Sequence, residues 1–290
     1  MVYTFCNPLA DYLKQNKIYN VIRGKSNTTL DWGFMVEVTS NVFKRNLSSM
    51  ANKVELNRDP AYNHYVKAEA LRLTGLFDKA TEEYHRAIFL NKDYADAYKG
   101  LGILNKTARN YDDAIANLQK SISKMPFDKQ AYNELAICYM DTNKLPNAMK
   151  ALRRAIKIDP NYIEPQFNLA IVHEMLNEND LAFNIYSKII EQRPSYLAAY
   201  NNMAILHLRS GDVPQSLELF KRLIDINPEY HRAYLGSAIC YDKMERFALA
   251  RKFYNKYLEL KPGSDNALYI SERLKGMKPT SEATLSLILG

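Results

Sequence analysis

K-Q-A-Y-N-E-L-A-I-C-Y-M-D-T-N-K-L-P-N-A-M-K-A-L-R-R-A-I-K-I-D-P-N-Y, residues 129–162, decides the fold. Tyr132, Leu135, Ala136 and Tyr139 recur at i, i+3, i+4 and i+7, one face of a helix. A turn is expected at Thr142-Asn143-Lys144. Pro146 then falls in the first turn of a second helix, where its missing N–H is harmless. Ala148, Leu152, Ala155 and Ile156 form that helix's apolar face. Asp159-Pro160 ends it, because a residue before proline resists the helical region.

One such pair cannot bury its own apolar face, and the chain repeats it every 34 residues. Tyr98, Tyr200 and Tyr234 share the slot of Tyr132, with His64 and Gln166 as exceptions. Ala80, Ala114, Ala182, Ser216 and Ala250 share that of Ala148. Tyr84, Leu118, Tyr186, Phe220 and Tyr254 share that of Leu152. Pro126, Pro194, Pro228 and Pro262 share that of Pro160. The register runs without a gap from Ala61 to Ser264, giving six units: 61–94, 95–128, 129–162, 163–196, 197–230 and 231–264.

At these residues the chain resembles the tetratricopeptide repeat family. The resemblance implies an all-α fold, a right-handed superhelical solenoid of antiparallel helix pairs. It also implies a concave groove, lined by the first helix of each pair, that binds peptides or partner proteins.

The flanks are read more loosely. Residues 1–26 are expected to hold a helical cap, with a helix about Pro8 to Ile22. Residues 27–60 read either as a degenerate repeat or as an unrelated helical cap; Gly33 and Asn46 depart from the family pattern. Residues 265–276 read as a closing amphipathic helix. Residues 277–290 form a separate tail, apolar at Leu285, Leu287, Ile288 and Leu289.

Slots also predict local geometry. Gly75, Asn143, Asn177 and Gly211 share a turn position that suits positive φ. Lys92 replaces the stop proline, which predicts a longer helix end there. The Ala155 slot holds Ala87 and Ser121 early but Ile189, Leu223 and Tyr257 late. That change predicts looser packing or altered curvature in the C-terminal half.

A net charge of +7 spread through every repeat, with acids among the bases, reads as solvated outer faces. A nucleic-acid surface would need a clustered basic stripe with interleaved aromatics, and none is expected. Cys6, Cys138 and Cys240 form neither a disulfide framework nor a zinc motif, which points to a reducing compartment and a cytoplasmic protein. Cys138 and Cys240 share one apolar slot and read as core fillers. No signal peptide or membrane span is expected.

Catalytic motifs are not apparent: no phosphate loop, no H-E-x-x-H, no G-x-S-x-G. His173 and His207 occupy the Tyr139 slot and read as core or half-buried residues. No enzyme, cofactor or metal is therefore expected.

The informative surface is the stripe beside the core on each first helix. Ile103, Ile137, Ile171, Ile205 and Ile239 share one slot there. They are either packed between neighbouring helices or the apolar floor of a groove. Asn168 and Asn202 share an adjacent slot, and Asn133 and Asn201 the next. Side-chain amides both donate and accept, so such a row can pair an extended peptide backbone. The array of the O-GlcNAc transferases is similar in the Asn168 slot, but Val66, Gly100, Glu134 and Gly236 interrupt it here. Lys99, Phe167 and Arg232 complete the candidate groove set. The basic clamp that grips a chaperone's C-terminal carboxylate is incomplete: Lys99 is followed by Ile103 where asparagine is required. Lys99, Lys106, Arg209, Arg232 and Lys243 remain candidates for single contacts with acidic residues. The expected function is a non-catalytic scaffold holding a partner segment in the groove. The alternative is a self-associating subunit, a homodimer formed through the tail or end repeats.

Overall fold

The computed structural model describes residues 59–277. The expectations for residues 1–58 and 278–290 lie outside the described residues. The chain divides into two compact units, one up to Pro160 and one from Asn161.

The described part of the first unit holds three helix pairs: α1 (Pro60–Leu73) with α2 (Phe77–Leu90), α3 (Ala95–Thr107) with α4 (Tyr111–Lys124), and α5 (Lys129–Asp141) with α6 (Leu145–Ile158). The second unit continues the pattern with α7 (Ile163–Met175) and α8 (Asn179–Gln192), α9 (Leu197–Arg209) and α10 (Val213–Ile226), α11 (His231–Lys243) and α12 (Phe247–Leu260), then a lone α13 (Ala267–Gly276). The fold is an all-α repeat solenoid, and no strand occurs among the described residues.

The pairs close because small residues meet where two helices cross. Ala80, Ala114, Ala148, Ala182, Ser216 and Ala250 are all fully buried. Ala68, Ala136, Ala170, Ala204 and Ala238 on the first helices are buried too, and Gly102 takes the same place on α3. A Cβ at Gly102 would stand 2.6 Å from the Leu118 side chain. Large chains then fill the centre: Tyr84, Leu118, Leu152, Tyr186, Phe220 and Tyr254 are each at most 2% exposed.

Each turn uses one left-handed residue. Gly75, Asn143, Asn177 and Gly211 have φ of 78°, 56°, 59° and 86°. Arg109 and Glu245 take the same slot at 61° and 56°, although neither residue type favours it. The residue after each donates its N–H five residues back, as in Leu76 to Leu71 (2.9 Å) and Lys144 to Tyr139 (2.7 Å). This pattern closes the first helix and sets the second on its return path. Pro146 and Pro214 do lie in first turns.

The expected extension at Lys92 does not occur. Helix α2 stops at Leu90, in register with α4, α6, α8, α10 and α12. Asn91 turns extended and its Oδ1 accepts the Asp93 N–H at 2.9 Å, so a side-chain turn replaces proline. Cys138 and Cys240 are fully buried, and burial pushes the Cys138 thiol up to about 11. No described helix is long and apolar enough to cross a membrane.

Candidate functional site

Within each unit the first helices carry isoleucines in one repeated slot. Ile103 and Ile137 in the first unit, and Ile171, Ile205 and Ile239 in the second, are all half-buried. Packing against neighbours covers one side of each, and the other side remains accessible.

The amides are less available than the sequence suggests. Asn133 and Asn201 are 5% and 4% exposed, so little of either reaches the surface. Asn168 and Asn202 are half-buried. In the second unit Asn201 donates to Asn202 Oδ1, and Asn202 donates to the Tyr186 hydroxyl, both at 3.3 Å. Tyr186 in turn donates to Glu174. Burial and the Glu174 carboxylate push the Tyr186 phenol well up, holding it protonated as a donor. Asn201 and Asn202 thus belong to an internal chain of hydrogen bonds.

The lysines are also engaged. Lys99 Nζ lies 2.8 Å from Asp96 and 2.7 Å from Asp128, and Lys106 pairs with Glu134. Burial works against the Lys99 charge, but Asp96 and Asp128 outweigh it and raise its pKa. This chain's own carboxylates thus already hold both lysines, which leaves them less available to an acidic partner. Arg209 lies 3.7 Å from Glu174, while Arg232 is exposed. Phe167 packs its ring against Tyr186 and Tyr196, at 5.7 and 5.5 Å between centroids.

The two histidines of the Tyr139 slot lie in the core or half-buried, as expected. His173 is buried with Nδ1 2.5 Å from Glu178, and half-buried His207 lies 3.2 Å from Asp212 and against Phe183. Among the described residues no group of three His, Cys, Asp or Glu assembles around a common point.

The stripe deepens into a cleft of about 380 Å³ in the second unit. Its apolar floor is Ile205, Leu235 and Ile239, with the Phe220 ring behind. Gly236 makes that possible: a Cβ there would stand 2.3 Å from the Phe220 ring. The polar rim carries His231, Arg232, Lys261 and Asp265. Burial, with Lys261 and Arg232 nearby, lowers the His231 pKa and favours the neutral ring. Ser264 also lines the cleft, and its buried Oγ has no hydrogen-bond partner among the described residues. The arrangement suits an apolar side chain with a polar or anionic group beside it.

Of the candidate residues, the cleft gathers Asn201, Ile205, Arg232 and Ile239. Sequence reasoning missed His231 and Lys261. The available signal was two adjacent bases opening a first helix beside a lysine in the closing turn of the same repeat.

Residues 138–177 and 201–265 each match a tetratricopeptide repeat model. No curated protein matches the chain. PilW, a widely conserved type IV pilus biogenesis factor, is similar in structure: TM-score 0.67 at 14% identity, over 74% of this chain and 100% of that one. PilF of Pseudomonas aeruginosa gives 0.62 at 14%, over 73% and 97%. YrrB, described as a repeat protein of this type with an unusual peptide-binding site, gives 0.50 at 18%, over 66% and 99%. At such identities the likeness is one of fold.

Proposed function

We propose that this chain, a tetratricopeptide repeat protein by its repeat models and its fold, is a non-catalytic scaffold that holds a segment of a partner protein against its first helices. The observation that carries the reading is the cleft of about 380 Å³, where the isoleucine stripe meets Arg232, His231 and Lys261. An apolar side chain of the partner packs on Ile205 and Ile239, and a neighbouring acidic group meets the bases. The unpaired Ser264 Oγ gains a partner on binding. YrrB, with its peptide-binding site, is a precedent for the fold only.

The test is affinity capture from the native lysate, read by mass spectrometry, with the parent chain and Arg232→Glu/Ile239→Glu. The proposal expects at least a tenfold loss of the captured partners, with helix content unchanged. Equal recovery of the same partners by the variant rejects the cleft.

A second reading has one observation in its favour. Leu268 and Tyr269 on α13 are 73% and 68% exposed. They occupy the slots of Tyr234 and Leu235, which in α11 are half-covered. This pair would serve self-association through the end helix. Light scattering over a concentration series, with and without Leu268→Glu/Tyr269→Glu, decides it.

A further inference from the structure

We propose a second binding site, on the outer side of α5 and α6, for a peptide segment that carries an aromatic residue flanked by acidic residues. The site is a cleft of about 720 Å³ within the first unit. Its floor is Tyr132, Leu135, Tyr139 and Ala151, and its rim is Lys150, Arg153, Arg154 and Lys157.

The charge is unusual for this molecule. Helix α6 carries these four bases and no acid over 14 residues. They stand at i, i+3, i+4 and i+7, a line about 10 Å long on one face. Like charges three and four apart repel, so this helix works against its own stability. None of the four pairs with a carboxylate among the described residues, whereas Lys67, Lys99 and Lys106 of the same unit all do. Arg154 instead lies over the Phe127 ring, 5.8 Å from its centroid.

The room has a specific origin. Position 151 shares a slot with Glu83, Asn117, Ile185, Leu219 and Phe253. In the first pair Glu83 occupies this place and takes His64 and Lys67 at 2.5 and 2.9 Å. In the last pair Phe253 occupies it, with its ring 6.0 Å from Tyr234 and 5.2 Å from Tyr241. The cleft there narrows to about 460 Å³. Tyr132 and Tyr139 are the counterparts of Tyr234 and Tyr241, and between them stands only a methyl group. The repeat itself therefore displays the missing occupant: a carboxylate in one copy and a phenyl ring in another. A partner that inserts a phenylalanine between the tyrosines and lays acidic neighbours along Lys150 to Lys157 supplies both.

The peptide is favoured over a nucleic acid because the floor is sunken. Leu135, Tyr139 and Ala151 are buried, and the Tyr139 hydroxyl already accepts from Gln119 at 3.0 Å. The recess at Ala151 takes an inserted side chain, whereas base stacking needs a flat exposed ring, and Phe127, the exposed ring beside the cleft, already carries Arg154 over one face.

Fluorescence anisotropy tests this with a fluorescein-labelled dodecapeptide, one phenylalanine centred among glutamates and aspartates, and the full chain. Saturable binding is expected, weakening at least tenfold between 50 and 300 mM NaCl, as estimated for several ion pairs. Serine in place of the peptide's phenylalanine is expected to weaken it at least tenfold. Ala151→Phe, which rebuilds the closed arrangement around Phe253, is expected to do the same. Lys150→Glu/Arg154→Glu, a surface change that leaves the core intact, is expected to abolish it. Arg232→Glu/Ile239→Glu should leave this binding unchanged, which separates the site from the first-helix cleft. The proposal is overturned if the charge-reversed variant binds like the parent or if the phenylalanine-free peptide binds equally well. It is also overturned if an oligouridylate binds more tightly and displaces the peptide.

Discussion

Repeats of the two units solve one packing problem with rings in some copies and an ion pair in another. A contact between the first helix and the entry to the next one is made by the rings of Tyr65 and Tyr94, 5.4 Å apart, in the first pair. One repeat later the same slots hold Lys99 and Asp128, joined by a 2.7 Å ion pair. In the second unit they hold Phe167 and Tyr196. The first unit leans on charge elsewhere as well: Glu83 gathers His64, Lys67 and Arg86, and Lys106 meets Glu134. The second unit fills equivalent space with bulk. Ile189, Leu223 and Tyr257 are at most 3% exposed where the first unit has Ala87, Ser121 and Ala155.

Helix spacing follows from that difference. The α7–α8 and α9–α10 pairs meet less closely than those of the first unit. The α11–α12 pair contains Tyr257 yet meets as closely. The repeat thus tolerates exchange of chemistry if volume is conserved across the contact.

The sharpest way to break this comparison is to violate volume. Gly236→Leu drives a side chain into the Phe220 ring, which is 1% exposed and has nowhere to go. A loss of about 3 kcal/mol is expected by urea denaturation. Adding Phe220→Leu should recover much of it, since Leu118 already tolerates Glu134 in the Gly236 slot.

Violating charge should cost less. Asp128 caps α5 through Oδ1, taking the Gln130 and Ala131 N–H groups, and holds Lys99 with Oδ2. Asp128→Ala is expected to lose about 2 kcal/mol, from the cap and a mostly buried pair together. The double variant Lys99→Tyr/Asp128→Tyr, copying Tyr65 and Tyr94, should be more stable than Asp128→Ala. A double variant no better than the single would show that the ion pair is not exchangeable for rings.

Glu83 gives the comparison a pH dependence. Burial alone would raise its carboxyl, but hydrogen bonds from His64 and Lys67 win and hold it below the usual carboxylate range. Because the folded value is depressed, its stabilisation is present above the ordinary glutamate range and fades as pH falls through the folded value. Glu83→Gln should lose about 1.5 kcal/mol at pH 7. Its denaturation curve should converge on the parent's under acid.

The turn slot gives the smallest effect. Arg109→Gly should gain about 0.5 kcal/mol, since relief of left-handed strain exceeds the added chain entropy. Thermal melts of this variant beside Gly211→Ala, expected to lose a similar amount, check both signs.

Much of this was legible in the sequence because a repeat prints the same constraint six times. The 34-residue register, the alanine crossings and the glycine or asparagine turns each reflect a single steric demand. Arg109 and Glu245 escaped notice because backbone geometry there overrides side-chain preference. Asn133 and Asn201 looked like surface amides because helical spacing gives a direction, not the depth of the seam beside it. Lys99 and Lys106 looked free because Asp128 and Glu134 stand 29 and 28 residues away, at the end of the same repeat and on the next one. The outer cleft was hidden for the converse reason: it is defined by what Ala151 lacks relative to Glu83 and Phe253.

Site-specific photo-crosslinking in the native cell tests the scaffold reading most directly. Benzoyl-phenylalanine is placed at Ile239, on the first-helix cleft, and separately at exposed Arg222 on α10. The account predicts a discrete adduct with another protein from position 239 and none from 222. Adducts from 222 alone, or equal and diffuse adducts from both, would contradict it.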